Sequence, residues 1–258
     1  MMQKQLVFFV LLAFLIQISF AFTQNNSTQE PIKKDWVLGM YEPQDFSAFK
    51  NVPQNLTYQE PGKLYMLHQD ALHAFERMHI EAKKDNITLI LISALRNFSY
   101  QKRIWQTKFQ QLKNGDPLKT DEQIALEIMK YSAMPTTSRH HWGTDMDINS
   151  VEPEYFESGQ GLIEYNWLKK NAKRFGFCQP YSPKNDGSRD RGYNLEQWHW
   201  SYMPISQQLL QYYKDNISYD DIQGFSGSQD ASKIRSIQDY VLSINKECLN
   251  WKQSHESY

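Results

Sequence analysis

The chain is poor in cysteine, with two in 258 residues, Cys178 and Cys248. That excludes a disulfide-rich scaffold and any cysteine-based zinc site. The two thiols either pair, closing a loop of about 70 residues at a gain of roughly 4 kcal/mol, or stay buried and free. The chain also lacks an excess of charge: 28 basic residues stand against 29 acidic ones, with a formal net charge of -1 and no long basic run. Nucleic-acid affinity rests on a positive electrostatic footprint, so no nucleic-acid partner is expected. Internal repeats are missing, as are low-complexity tracts beyond one polar stretch near the N-terminus. The length then suits one sizeable core, or one core with an appended subdomain.

What is present begins with "MMQKQLVFFVLLAFLIQISFAF", a lysine, an apolar run and small residues at Ser19 and Ala21. This reads as a secretory signal peptide over residues 1–21. The run from Leu6 to Phe22 is long enough for an anchor, so membrane contact is expected only if the signal is uncleaved. No cysteine follows it, which argues against a lipoprotein. The 7 Trp, 15 Tyr and 14 Phe suit an ordinary aromatic core. Six Asn-x-Ser/Thr triplets, at Asn25, Asn26, Asn55, Asn86, Asn97 and Asn216, matter only on a eukaryotic export route and are read as chance.

Residues 22–61 are polar and proline-punctuated, and are expected to be a linker and an irregular N-terminal arm. Leu64, Leu67, Ala71, Leu72, Phe75 and Met78 recur at helical spacing and predict one helix from Gly62 to Lys84. "NITLILIS", Asn86 to Ser93, predicts a buried strand. Helices are expected from about Tyr100 to Leu112, from Thr120 with a Thr120/Gln123 capping box, and from Ile163 to Phe175 with Gly176 as its stop. Ile234, Ile237, Val241, Ile244 and Cys248 predict a C-terminal helix. Helices and strands without regular alternation indicate the α+β class. The expected division is a catalytic domain over residues 62–204 and a helical extension over 205–258 packed on it.

Two stretches carry the chemistry, "SRHHWGTDMDIN" from Ser138 and "NLEQWHWSY" from Asn194. A core rarely wants imidazoles and carboxylates side by side, because each buried polar group needs a partner. His140, Asp147 and His199 suggest a divided metal site, and two histidines with one carboxylate leave an open fourth position on zinc, as catalytic sites do. A water there would have its pKa lowered to about 7, and Glu196 could take its proton. His141 and Asp145 compete as ligands. Glu196 and His199 share a face on a helix but not on a regular strand, so the spacing leaves their meeting open. His68, His73 and His79 read as ordinary helix positions, and Trp198 and Trp200 as wall and core.

Ser138-x-His140-x-x-Gly143-x-x-x-Asp147, followed by Glu196-x-Trp198-His199, resembles the pattern of the VanY-type zinc D-Ala-D-Ala carboxypeptidases of the LAS metallopeptidase family. Upstream, "SALRNFSYQ" resembles that family's Ser-x-x-Arg segment, at Ser93 and Arg96, with Gln101 following. The resemblance implies one zinc ion on His140, Asp147 and His199, with Glu196 as general base. It also implies Arg96 as oxyanion or carboxylate partner, and Ser138, Gln101 and Ser93 as substrate-binding residues. The implied fold is the compact hedgehog/DD-peptidase-like one, a small antiparallel sheet with flanking helices. The implied substrate is the peptidoglycan stem peptide, with no obligate protein partner, in a secreted or periplasmic setting in the bacterial envelope. Two positions depart from the family pattern: Asp145, where alanine is common, and Ser201, where arginine is common.

An L,D-carboxypeptidase or endopeptidase of the same family, or a zinc-binding module without catalysis, would use the same ligands. A glycan-cleaving enzyme would instead pair Asp145 with Glu196. The turn-rich loop from Pro183 to Asn194 is a candidate cover for the substrate.

Overall fold

"DMDI" and "HWSY" alternate in burial chemistry with the period of two that a strand imposes, and the fold follows from that alternation. The computed structural model describes residues 31–184 and 186–252. The expected signal peptide, Asn25 and Asn26 lie outside the described residues. From Pro31 onward the chain is one compact unit.

It opens with helix α1 (Lys34–Leu38) and a two-stranded antiparallel ribbon of β1 (Phe49–Asn51) and β2 (Met66–His68). Helix α2 (Gln69–Lys84) follows, then strand β3 (Leu91–Ser93) and helices α3 (Phe98–Gly115) and α4 (Asp121–Ile128). Next come β4 (Asp145–Ile148), α5 (Gly159–Asn171), β5 (Phe177–Cys178), β6 (His199–Tyr202), α6 (Met203–Asn216) and α7 (Lys246–Leu249). The second sheet is antiparallel throughout, in the order β3-β4-β6-β5.

One face of that sheet is apolar. Met146, Ile148 and Trp200 join Leu72, Phe75 and Met78 of α2 and Trp167 and Leu168 of α5 in one buried cluster. Full burial of each such side chain contributes about 1.5–3 kcal/mol, so this face is held strongly to its helices. The intervening residues then take the opposite face. Register places Ser93 opposite Asp147, Asp147 opposite His199 and Asp145 opposite Ser201. A second cluster brings together Trp36, Trp105, Ile124, Trp142, Leu209 and Tyr213 from the other helices.

Several expectations change in the structure. The helix expected from Gly62 starts at Gln69, because Met66 to His68 pair with β1; the His68 side chain accepts from the Asp70 N–H and caps the helix. The expected irregular arm contributes α1, whose Trp36, Val37 and Leu38 are buried in the core. The strand expected over Asn86 to Ser93 is regular only at its last three residues. Thr120 and Gln123 do form the capping box, and Gly176 ends the helical stretch in the left-handed region at φ 88°.

The C-terminal helix is not one helix. Arg235, left-handed at φ 59°, precedes a π-helical turn at Ser236–Val241, and α7 is a separate short element. Ile234, Ile237, Val241, Ile244 and Cys248 are nevertheless all buried, so the apolar period marked burial rather than helix. Cys178 and Cys248 form a disulfide with Cα atoms 5.6 Å apart. The bridge and the burial of α6 in the same cluster as Trp36 both tie the segment after β6 to the rest of the chain. No helix of the described residues is long and apolar enough to cross a membrane.

Candidate metal centre and active-site cleft

Strand register builds the centre. Asp147 on β4 and His199 on β6 face each other across the ladder, and His140 arrives from the 3-10 turn Arg139–Trp142 just before β4. That turn ends at Gly143, left-handed at φ 70°, where a Cβ would stand 2.5 Å from a ring carbon of Phe49. Glycine is required there both for the dihedral and for the close approach. One ligand atom from each of His140, Asp147 and His199 lies within 4.8 Å of the others, and this is the one such trio among the described residues.

The hydrogen bonds decide which ring nitrogens are free. His140 Nδ1 stands 2.7 Å from the Ala94 carbonyl, which can only accept, so Nδ1 carries the proton and Nε2 offers its lone pair. Nε2 is 3.4 Å from Asp147 Oδ1, and neither atom has a hydrogen-bond partner although both are buried. His199 Nε2 stands 2.9 Å from Asp145 Oδ2, leaving Nδ1 aimed at Asp147 Oδ1 at 3.5 Å and Glu196 Oε2 at 3.2 Å. Buried polar atoms are rarely left without partners, and two such acceptors pointing at one another fit a cation between them. Two imidazoles and a carboxylate are a zinc-type donor set with room for a fourth ligand.

Electrostatics agree. Burial, then Arg96, lower the His140 pKa to about 4, so it is a neutral donor. Burial works to raise the Asp147 carboxyl, but the two histidines and Arg96 outweigh it and hold it well below the usual range. For His199 burial opposes charge, yet Asp145, Glu196 and Asp147 together raise it to about 9. Burial pushes Glu196 up from the ordinary carboxylate value, against the pull of His199, which strengthens it as a proton acceptor.

Glu196 reaches His199 because the chain bends at Gln197 and Trp198 before β6 begins. Its backbone is fixed on both sides: its N–H donates to the Tyr181 carbonyl and its carbonyl accepts from Gln179 Nε2 at 2.8 Å. Ser93, Arg96, Asp147, Glu196 and His199 line one cleft of about 530 Å³. Arg96 lies with Nη2 3.9 Å from Asp147 and a buried Nε without a partner, so it has donor capacity left for a ligand.

Among the other expected site residues, Gln101 is fully buried with its amide donating to the Ala133 carbonyl, and Ser138 is buried at the start of the 3-10 turn, two residues before His140. His141 is not free to bind a metal: Nδ1 donates to the Arg96 carbonyl at 2.6 Å and Nε2 accepts from the Thr136 N–H. Burial lowers it to about 3, and it serves as a neutral bolt that holds the Arg96 backbone. Asp145 is completely buried and hydrogen-bonded on both oxygens, so it is unavailable to a glycan-cleaving pair.

The loop from Pro183 to Asn194 does not line the cleft. Buried Arg189 ties it down, donating to the carbonyls of Ser182, Arg191 and Asn194. Sequence reasoning missed Tyr100, Ile104 and Lys108, which line the cleft from one face of α3. Their spacing of four was the available signal.

The family model VanY, D-alanyl-D-alanine carboxypeptidase, matches residues 64–205. A D-alanyl-D-alanine carboxypeptidase of Enterococcus faecalis is 32% identical over 124 residues, 48% of this chain and 43% of that protein. The chain thus spans less than half the length of that relative. Among solved structures, VanYB in complex with D-Alanine-D-Alanine is 23% identical with a TM-score of 0.46, covering 65% of this chain and 89% of that one. The LdcB LD-carboxypeptidase is 18% identical with a TM-score of 0.48, covering 78% and 81%.

Proposed function

The chain belongs to the VanY family of D-alanyl-D-alanine carboxypeptidases, and on that premise we propose that it is a zinc peptidase removing the terminal D-alanine from peptidoglycan stem peptides outside the cytoplasm. The observation that carries the reading is the convergence of His140, Asp147 and His199, with His140 Nε2 and Asp147 Oδ1 unsatisfied, where Asp147, His199 and buried Glu196 line a cleft. A structural metal site has no need of a carboxylate beside it or of a cleft. The Cys178–Cys248 disulfide supports an oxidising, extracytoplasmic setting.

His140 through Nε2, His199 through Nδ1 and Asp147 through Oδ1 would hold the ion. Zinc, when bound, supplies Lewis acidity that acidifies a nucleophilic water and polarises the scissile carbonyl. Glu196 would accept on its carboxylate the proton of an attacking water and would deliver it to the departing amine of D-alanine. Its raised pKa lets one group perform both transfers. Arg96, adjoining the centre with free donor capacity, counters the negative charge that develops on the carbonyl oxygen or grips the terminal carboxylate in a fork. Ser93, level with Asp147 on the sheet, provides a hydroxyl on the same wall.

The test is D-alanine release from a pentapeptide stem by the wild type, a chelated sample and Glu196→Gln, with metal content measured on each. The expected result is loss on chelation and a drop of about 10²–10⁴-fold in kcat for Glu196→Gln with zinc retained. Release that survives chelation, or an undiminished Glu196→Gln, overturns the reading. The same assay on tetrapeptide and cross-linked stems identifies the bond cut.

A further inference from the structure

Asp145 is a charged side chain with no exposure and no part in the ligand trio, and every lone-pair direction of its carboxylate is in use. Oδ1 accepts from the hydroxyls of Thr144 at 2.9 Å and Ser201 at 2.8 Å. Oδ2 accepts from Arg139 Nε at 2.8 Å and from His199 Nε2 at 2.9 Å. A carboxylate offers about four acceptor sites, so these four donors leave it no freedom to rotate. Arg139, itself 1% exposed, is held in turn: Nη2 donates to Ser201 Oγ at 2.6 Å, and its guanidinium lies 4.4 Å over the Trp142 ring.

A buried ion pair is weak evidence of stability in itself, since desolvation of both charges offsets most of their attraction. Its direction is informative here. The carboxylate can only accept, so the His199 proton facing it must sit on Nε2, and the ring can then turn only Nδ1 toward Asp147 and His140. Without Asp145 the ring could flip or take the other tautomer, and the trio would lose one aligned lone pair.

We propose that Asp145, clamped by Arg139, Thr144 and Ser201, is a positioning residue that locks His199 with Nδ1 toward the metal, and that this clamp sets the affinity of the centre for zinc. The inference rests on the zinc reading above and adds to it a residue outside the ligand set that governs metal retention. Carboxylates behind a ligand histidine fix its tautomer and ring plane, and their loss costs about 10–100-fold in metal affinity.

The test is a zinc titration of the full chain against a competing chelator, for the wild type, Asp145→Asn, the charge-free pair Arg139→Met with Asp145→Leu, and Ser201→Ala. The expected result is a zinc Kd raised about 10–100-fold in both Asp145 variants, and raised by less in Ser201→Ala, which loosens the clamp but keeps the Asp145–His199 contact. If Asp145→Asn fails to fold with Arg139 left unpaired, the charge-free pair carries the comparison. Nitrogen-15 spectra of the zinc-loaded wild type need no substitution at all: the His199 proton should reside on Nε2 and the metal on Nδ1. A folded Asp145 variant with a zinc Kd within threefold of the wild type, or a His199 proton on Nδ1, overturns this inference alone. Wild-type protein that takes up no zinc overturns the metal reading with it.

Discussion

Replacing both Cys178 and Cys248 with alanine should cost the fold about 4 kcal/mol. The bridge closes a loop with a sequence separation of 70. In the chain-entropy model a loop of that size removes roughly 15 cal/mol/K from the unfolded ensemble, which is about 4.4 kcal/mol at 25 °C. For a domain of this length each kcal/mol moves Tm by about 2–4 °C, so the expected fall is about 9–18 °C. The assay is urea unfolding of the oxidised wild type, the reduced wild type and the double variant, all with chelator present because bound metal adds stability of its own. Agreement between reduction and substitution separates the cross-link from the packing of the sulfur atoms.

The effect should also be local. Cys248 lies in a segment whose Asn245 N–H donates to the Pro180 carbonyl and whose Lys246 N–H donates to Ser188, at the root of the loop leading to Glu196. Hydrogen exchange across residues 182–194 should therefore accelerate in the reduced protein. A loss below about 1 kcal/mol would show that the unfolded chain is already constrained, or that the native bridge stores compensating cost, and would refute the entropic reasoning.

Two further outcomes are expected. Three carboxylates hold His199 protonated up to pH about 9 in the metal-free protein, and the ion must displace the Nδ1 proton. Zinc uptake at pH 7 should then release about one proton from this residue, with apparent affinity rising by up to about tenfold per pH unit until His199 deprotonates by itself near pH 9. Calorimetry in buffers of differing ionisation enthalpy measures the release; no net proton release would show that His199 is already neutral. Gly143→Ala should destabilise by about 1–2 kcal/mol from its left-handed dihedral alone, and more from the clash with Phe49. Because the same turn carries His140, zinc affinity should fall as well; unchanged unfolding and zinc binding would contradict the geometry.

Chemistry with a local cause was legible in the sequence. Two histidines, two carboxylates and a glycine in fixed order announced the kind of donors a metal centre would use, because only a few side chains can ligate zinc and their types survive any folding. The capping box at Thr120 and the stop at Gly176 were readable for the same reason, since each is settled by residues within one turn. The apolar period near the C-terminus disclosed which residues would be buried, although backbone geometry there departs from a helix at Arg235.

What the sequence left open was set by long-range pairing. Whether Glu196 meets His199, whether Cys178 meets Cys248, and which of His140 and His141 faces the centre all depend on partners far away along the chain. His141 and Asp145 are as able to bind a metal as their neighbours by composition. Only the arrival of the Arg96 carbonyl at the one, and of Arg139, Ser201 and His199 at the other, satisfies them and removes them from the ligand set. A residue's chemical type determines what it can bond to, and tertiary packing decides which bonds remain to be made.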